Sequence, residues 1–283
     1  MSRITYVNGR YLPHDDALVH VEDRGFQFAD GVYEVIAVRG GRLVDGPAHF
    51  ARLARSLAEL RIEAPMGEAA LGVVLAETVR RNRVRDGIVY LQATRGRARR
   101  DHPFPARAKP ALVVSARAAA PPPARLVEEG VRVITAPDIR WARCDVKSIA
   151  LLPNVLAKQA ARERGAYETW QVDRDGFVTE GASTNAWIVA KDGSLVTRPA
   201  GPEILNGVTR LRVIALARAA GLPVVERPFT VAEAQGAREA FLTSTTAFVL
   251  PVTQIDDAVV GNGRPGGSSV ELRRIYEEFA LRG

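Results

Sequence analysis

The feature that most limits how this chain can fold is the run Ala118-Ala119-Ala120-Pro121-Pro122-Pro123. Consecutive prolines lock φ and offer no amide hydrogen, so neither a regular helix nor a central strand can pass through them. Residues 119–124 therefore read as a short stiff linker between an N-terminal domain, residues 1–118, and a larger C-terminal domain, residues 125–283. Each part is long enough to bury a core. An apolar share of 47% and a charged share of 25% are those of an ordinary globular protein.

Both parts mix strand and helix signals, which gives an α/β (mixed α+β) class with two sheet-and-helix domains. Ile4–Val7, Asn8-Gly9 and Arg10–Leu12 form a hairpin pattern, because Asn-Gly tolerates the positive φ of a type I′ turn. Val32–Arg39, Gly40-Gly41 and Arg42–Val44 repeat it. Pro47–Leu60 places Phe50, Leu53, Leu57 and Leu60 at helical spacing, and Ala69–Val79 is a second helix. Ile88–Thr94 and Ala111–Ala116 are strands. Beyond the linker, helices are expected over Val155–Glu163 and Val208–Ala220, stopped by Gly165 and Gly221. Strands are expected at Val131–Thr135, Tyr167–Val172, Ala186–Val189, Leu195–Thr197, Val224–Glu226, Ala240–Thr243 and Phe248–Val252. Thr230-Val231-Ala232-Glu233 and Ser268-Ser269-Val270-Glu271 have the spacing of capping boxes. A cleft between two such domains is the natural seat for a small molecule.

Several function classes recede at this point. No long uncharged apolar run is present, and Met1–Tyr6 lacks the apolar core of a signal peptide, so no membrane partner and a cytoplasmic location are expected. The single cysteine, Cys144, excludes an intrachain disulfide framework and reads as a small buried hydrophobe. His14, His20 and His49 lack ligand spacing, so no metal is expected. The net charge of +7 reads as a solvated, arginine-rich surface. Its densest stretches, Arg80-Arg81-Asn82-Arg83 and Arg95 to Arg107, lack the interleaved aromatics of a single-strand platform, and no nucleic-acid partner is expected. There is no P-loop, no dinucleotide fingerprint and no Gly-x-Ser-x-Gly elbow.

Four segments carry possible chemistry. Lys147 stands among Val146, Ile149, Leu151 and Leu152. An exposed lysine needs no explanation, but a desolvated one loses basicity and becomes the nucleophile that Schiff-base formation requires. Glu180, in Thr179-Glu180-Gly181-Ala182-Ser183-Thr184-Asn185, is either a surface carboxylate in a turn or one with a cationic partner. The protonated ring nitrogen of pyridoxal phosphate, held by Lys147, is one such partner. Leu205-Asn206-Gly207-Val208-Thr209-Arg210 opens a helix, where free amides and the dipole suit a phosphate, or where Asn206 or Gly207 is a plain cap. Thr243-Ser244-Thr245-Thr246 ends a strand in hydroxyls that suit a second phosphate contact or merely a β-prone end.

In order and spacing these segments resemble the fold-type IV, or class IV, pyridoxal-phosphate-dependent aminotransferases. The likeness runs through Arg24-Gly25-Phe26-Gln27-Phe28-Ala29-Asp30-Gly31-Val32-Tyr33-Glu34-Val35 and His49-Phe50-Ala51-Arg52-Leu53. It continues through Asp145-Val146-Lys147-Ser148, Thr179-Glu180-Gly181, Gly207-Val208-Thr209-Arg210 and Thr243-Ser244-Thr245-Thr246, most of the chain. The resemblance implies pyridoxal 5′-phosphate in an interdomain cleft, with Lys147 as the catalytic lysine. It implies that Arg52, Glu180, Leu205, Gly207, Val208, Thr209, Ser244 and Thr245 hold the cofactor, with the C-terminal domain as the main binding domain. Tyr33, with Arg100 and His102 in Arg99-Arg100-Asp101-His102, is similar to the carboxylate trap of D-amino-acid aminotransferases within that family. The substrates implied are amino acids and 2-oxo acids, in a homodimer whose trap loop reaches in from the partner subunit. Branched-chain L-amino-acid aminotransferases, (R)-amine transaminases and aminodeoxychorismate lyases share the scaffold and stand as alternatives. Ala29 and Ala182 occupy positions where the family often has glycine and serine.

Overall fold

The computed structural model describes residues 3–282. The chain divides into two compact units, one of residues up to Ala120 together with Val146–Ala150, the other of Pro121–Asp145 and Leu151–Arg282. The short piece that carries Lys147 thus belongs to the first unit, although it follows the proline run in sequence. Among the described residues no helix is long and apolar enough to cross a membrane.

The first unit is built on a six-stranded antiparallel sheet. Its spatial order is Arg10–Pro13, Ile4–Val7, Ala111–Ala118, Gly87–Thr94, Gly31–Arg39, Arg42–Leu43. Both expected hairpins are present, with positive φ at Asn8, Gly9, Gly40 and Gly41. In Gly31–Arg39 the two-residue period of a strand sends Val32, Glu34, Ile36 and Val38 to one buried face. Against them pack Leu53 and Leu57 of helix Gly46–Glu59 and Leu71, Leu75 and Val79 of helix Glu68–Arg81. The same helical spacing that buries Leu53 and Leu57 also buries His49 and Ser56.

The second unit is a nine-stranded mixed sheet. Its main path runs Val224–Glu226, Leu195–Thr197, Asn185–Val189, Glu239–Ser244, Phe248–Ile255, Val131–Pro137, Glu168–Val172, Val178–Gly181, with Ala258–Val259 paired to Phe248–Ile255. Strands Phe248–Ile255, Val131–Pro137 and Glu168–Val172 run parallel. Parallel neighbours need a crossover, and helix Leu152–Glu163 supplies it between the last two. The core gathers Val133, Trp170, Ile188, Phe229, Leu242 and Leu250.

Three local features were not read from the sequence. Val178–Gly181 is a strand rather than a turn, so Glu180 is buried. Arg24–Phe28 is a short helix, capped by the Asp23 carboxylate on Gly25 N at 2.8 Å. The last helix starts at Gly267, ahead of the expected cap at Ser268, because Glu239 accepts from Ser268 N and Ser269 N, both at 3.0 Å. A carboxylate from a distant strand supplies the cap there, whereas Thr230 caps Glu233 N locally at 3.1 Å, as its spacing predicted.

Trp187 is fully buried, stacks on Phe241 with ring centroids 5.3 Å apart, and donates to Thr243 Oγ1 at 3.1 Å. Trp187→Ala is expected to lower unfolding stability by about 3–5 kcal/mol, measured by chemical denaturation of the whole chain.

Candidate active site

In the first unit the chemistry gathers around Glu34. Strand alternation puts this carboxylate in a row of core residues, and it is wholly buried. A lone ionised carboxylate there would be prohibitive, so it must be paired. Helix Gly46–Glu59 supplies the partners from successive turns. Arg52 donates Nε to Glu34 Oε1 at 2.8 Å and Nη2 to Oε2 at 2.7 Å. His49 Nδ1 meets Oε2 at 2.7 Å. Burial pushes the Glu34 carboxyl up from 4.5, but Arg52, His49 and Lys147 together bring it down to about 2. Burial also pulls the His49 imidazole below its ordinary 6.5, against the upward pull of Glu34, so His49 donates as a neutral ring.

Lys147 is tied into the same unit through its backbone. Its carbonyl accepts from Tyr33 N at 3.1 Å, its amide donates to Ser56 Oγ at 3.3 Å, and Ser148 bridges to Val32. Its Nζ lies 4.3 Å from the centroid of the Tyr33 ring. Tyr33 and Tyr90 stand on the opposite face of the strand row from Glu34, with centroids 5.8 Å apart. The structure thus assembles four residues that the sequence had listed or quoted separately: Tyr33, His49, Arg52 and Lys147. Arg100 and His102 are exposed and come together over Phe28, at 5.2 Å and 5.5 Å from its ring centroid.

In the second unit Glu180 is 5% exposed. Its carboxylate accepts from Asn185 Nδ2 at 2.9 Å and from Leu205 N at 3.1 Å, and pairs with Arg140. Arg140 also grips Asp138 with Nε at 2.9 Å and Nη2 at 2.6 Å. Burial works against the Arg140 charge, yet Asp138 and Glu180 outweigh it and raise its pKa. Glu180 thus has a cationic partner within the protein, Arg140, which the sequence did not point to. Asn185 also donates to Leu205 O at 2.9 Å, which fixes the segment ahead of helix Val208–Ala219. That helix starts at Gly207 with no side-chain cap. A Cβ at Gly207 would fall on Asn185 Oδ1, so only glycine fits. Val208 and Thr209 are buried in the first turn. Ser244 and Thr245 lie half-buried at the turn between Glu239–Ser244 and Phe248–Ile255, where Ser244 Oγ accepts from Ala247 N at 3.1 Å.

Glu34, Arg140 and Asn185 are site residues that sequence reasoning did not single out. Glu34 had a readable signal, a charge flanked at i−2 and i+2 by Val32 and Ile36 in a strand pattern. Arg140 had none, since 40 residues separate it from Glu180. Cys144 is buried, its thiol pushed up to about 12 by that burial, and its Sγ donates to Trp141 O at 3.1 Å.

Comparison with known proteins identifies the family. The family model "Amino-transferase class IV" matches residues 31–255. D-alanine aminotransferase of Bacillus licheniformis is 46% identical over 97% of this chain and 96% of its own. D-alanine aminotransferase of Staphylococcus epidermidis is 38% identical, with the same coverage. Among solved structures, the branched-chain aminotransferase of Thermoproteus uzoniensis with norvaline superposes with a TM-score of 0.90 at 27% identity, over 100% of this chain and 96% of that one. The branched-chain amino acid aminotransferase of Escherichia coli superposes with 0.92 at 23%, with the same coverage, which speaks for the fold alone. With the family model spanning most of its length and relatives alike from end to end, this chain belongs to the class IV aminotransferases.

Proposed function

We propose that the chain catalyses reversible amino transfer between D-amino acids and 2-oxo acids, with D-alanine and 2-oxoglutarate giving pyruvate and D-glutamate as the reference pair. The observation that carries this reading is the 46% identity to a D-alanine aminotransferase over 97% of the chain. The branched-chain enzymes superpose as well, but at 23–27% identity their likeness speaks for the scaffold more than the substrate.

The residues fit pyridoxal 5′-phosphate, the cofactor of this class. An uncapped helix start at a glycine that tolerates no Cβ, a buried threonine hydroxyl in the first turn and a carboxylate held by three donors match a phosphate and a pyridine nitrogen. When bound, the cofactor supplies an electrophilic carbon for the amine and a ring that takes up the electron pair left at Cα. Val208 and Thr209 amides, the Thr209 hydroxyl, Arg52, Ser244 and Thr245 hold the phosphate. Gly207 and Leu205 shape the approach to it. Glu34 keeps Arg52 oriented from behind. Glu180 holds a proton at the ring nitrogen, and Arg140 and Asn185 hold Glu180. Lys147 would anchor the cofactor, and its Nζ would move the proton at Cα. Its place over the Tyr33 ring keeps that nitrogen beside a residue of the carboxylate trap. Arg100, His102 and Tyr33 bind the substrate carboxylate, and the side on which they hold it determines which hydrogen of Cα faces Lys147. Two half-reactions on one site give ping-pong kinetics.

The working form is a homodimer. Leu18, Val21 and Phe26 are exposed by 77%, 73% and 76% beside the trap loop, to which Ala98 N and Glu22 O join them at 3.2 Å. Large apolar side chains exposed to this extent suit burial against a second copy.

The deciding experiment is the visible spectrum of the protein loaded with pyridoxal phosphate. D-alanine is expected to bleach the lysine-bound band and L-alanine to leave it, while Lys147→Ala never develops it. Bleaching by L-alanine alone would overturn the stereochemistry. Arg100→Ala is expected to raise KM for D-alanine about tenfold or more while the dissociation constant of the cofactor stays within about twofold. The third expectation concerns acid stability without cofactor. The folded-state pKa of Glu34 is depressed, so its contribution is present above 4.5 and lost as pH falls toward about 2. Glu34→Gln should lower stability at neutral pH and flatten the loss over that acid window, read from denaturation midpoints.

A further inference from the structure

We infer that Arg24, acting with Asp30 and Phe28, is a positioning residue for substrate-carboxylate recognition. The inference rests on the reading of Arg100 and His102 as carboxylate-binding groups, and adds what holds them in place.

The loop around Arg100 and His102 has no helix or strand to stiffen it. Two side chains that must meet one carboxylate need a fixed backbone, because a displacement of an ångström weakens both contacts. The fixing group is Arg24. Its Nη1 donates to Asp101 O at 2.6 Å and its Nη2 to His102 O at 3.2 Å, so one planar fork holds two successive carbonyls of the loop. The Arg24 side chain is 4% exposed. A guanidinium does not shed its proton, so it needs a buried counter-charge. Asp30 provides it, accepting from Nε at 2.7 Å.

Asp30 carries a second arginine. Arg95 donates Nε to Oδ2 at 2.8 Å and Nη2 to Oδ1 at 3.0 Å. Its guanidinium lies 3.7 Å from the centroid of the Phe104 ring, and it donates to Leu60 O and Arg61 O, both at 2.7 Å. One carboxylate therefore anchors two guanidinium groups that hold the loop at 101–102 and at 104. Phe28 completes the mount. Its ring lies under Arg24 at 4.8 Å and under Arg100 at 5.2 Å, with the His102 ring at 5.5 Å. Ala29, at φ 55, then turns the chain from helix Arg24–Phe28 into strand Gly31–Arg39, which carries Tyr33. Ten residues, from Arg24 to Tyr33, thus carry both the mount of the Arg100–His102 loop and the start of that strand.

The test is Arg24→Lys, with Phe28→Leu as a gentler second variant. Lysine keeps the charge for Asp30 but lacks the fork that spans two carbonyls. Arg24→Lys is expected to raise KM for D-alanine and for 2-oxoglutarate about tenfold, with kcat falling far less. Cofactor affinity, titrated on the apoprotein, should stay within about twofold. Phe28→Leu should move KM in the same direction. A merely structural role would instead lower the denaturation midpoint and cofactor affinity without separating KM from kcat, and that pattern overturns the inference. A folded Arg24→Lys enzyme with unchanged KM also overturns it, and if that variant does not fold, an unchanged KM in Phe28→Leu does so. Arg100→Ala separates the two levels. A raised KM there beside an unmoved Arg24→Lys removes only the positioning role, whereas an unmoved Arg100→Ala removes the carboxylate reading with it.

Discussion

The buried pairing of Glu34 with Arg52 and His49 is the constraint on which the first unit turns. A carboxylate in the hydrophobic row of strand Gly31–Arg39 is tolerable only if cationic and hydrogen-bonding groups reach it. Helix Gly46–Glu59 meets that demand with two residues three positions apart, and the same helix buries Leu53 and Leu57 against the same strand. Packing and charge pairing thus require one register between helix and strand. That register also fixes Ser56, which receives Lys147 N, so the lysine backbone is held by the same helix that neutralises the core carboxylate.

The second unit repeats the principle with other residues. Glu180 is held by Arg140, Asn185 and the Leu205 amide. Arg210, fully buried, reaches Glu226 at 2.8 Å and Arg198 O at 2.8 Å. Arg273 donates to Ala247 O at 2.8 Å and Val249 O at 2.7 Å around the left-handed Phe248, next to the Ser244–Thr245 turn. The arginine content read as solvated surface is therefore partly interior: Arg24, Arg95, Arg210 and Arg273 are all buried. Planar forks with five donors suit them to tie carbonyls and carboxylates together where a lysine ammonium, more strongly hydrated, would not.

Much of the fold was legible because its signals are local. The Asn8-Gly9 and Gly40-Gly41 turns, the apolar spacing of Leu53 and Leu57, and the stops at Gly165 and Gly221 each follow from a few neighbouring residues. The cap of the last helix was not legible, since Glu239 comes from a strand 29 residues away. The strand character of Val178–Gly181 was hidden for a related reason. Four residues with a charge and a glycine look like a turn until a neighbouring strand pairs with them. For the site, residue order alone pointed to Lys147, Glu180, the Gly207 helix start and the Ser244–Thr245 turn, which the structure places at buried or half-buried positions.

By itself the sequence determined the alternation of strands and helices and the types of group available for the chemistry, because these depend on neighbours along the chain. The tertiary structure alone decided which charges are neutralised by which. Glu34 with Arg52 and His49, Glu180 with Arg140, and Asp30 with Arg24 and Arg95 are pairs made between separate elements. The physical reason is burial. A charge becomes obliged to find a partner only when folding removes its water, and which partner stands within reach is set by packing rather than by sequence spacing.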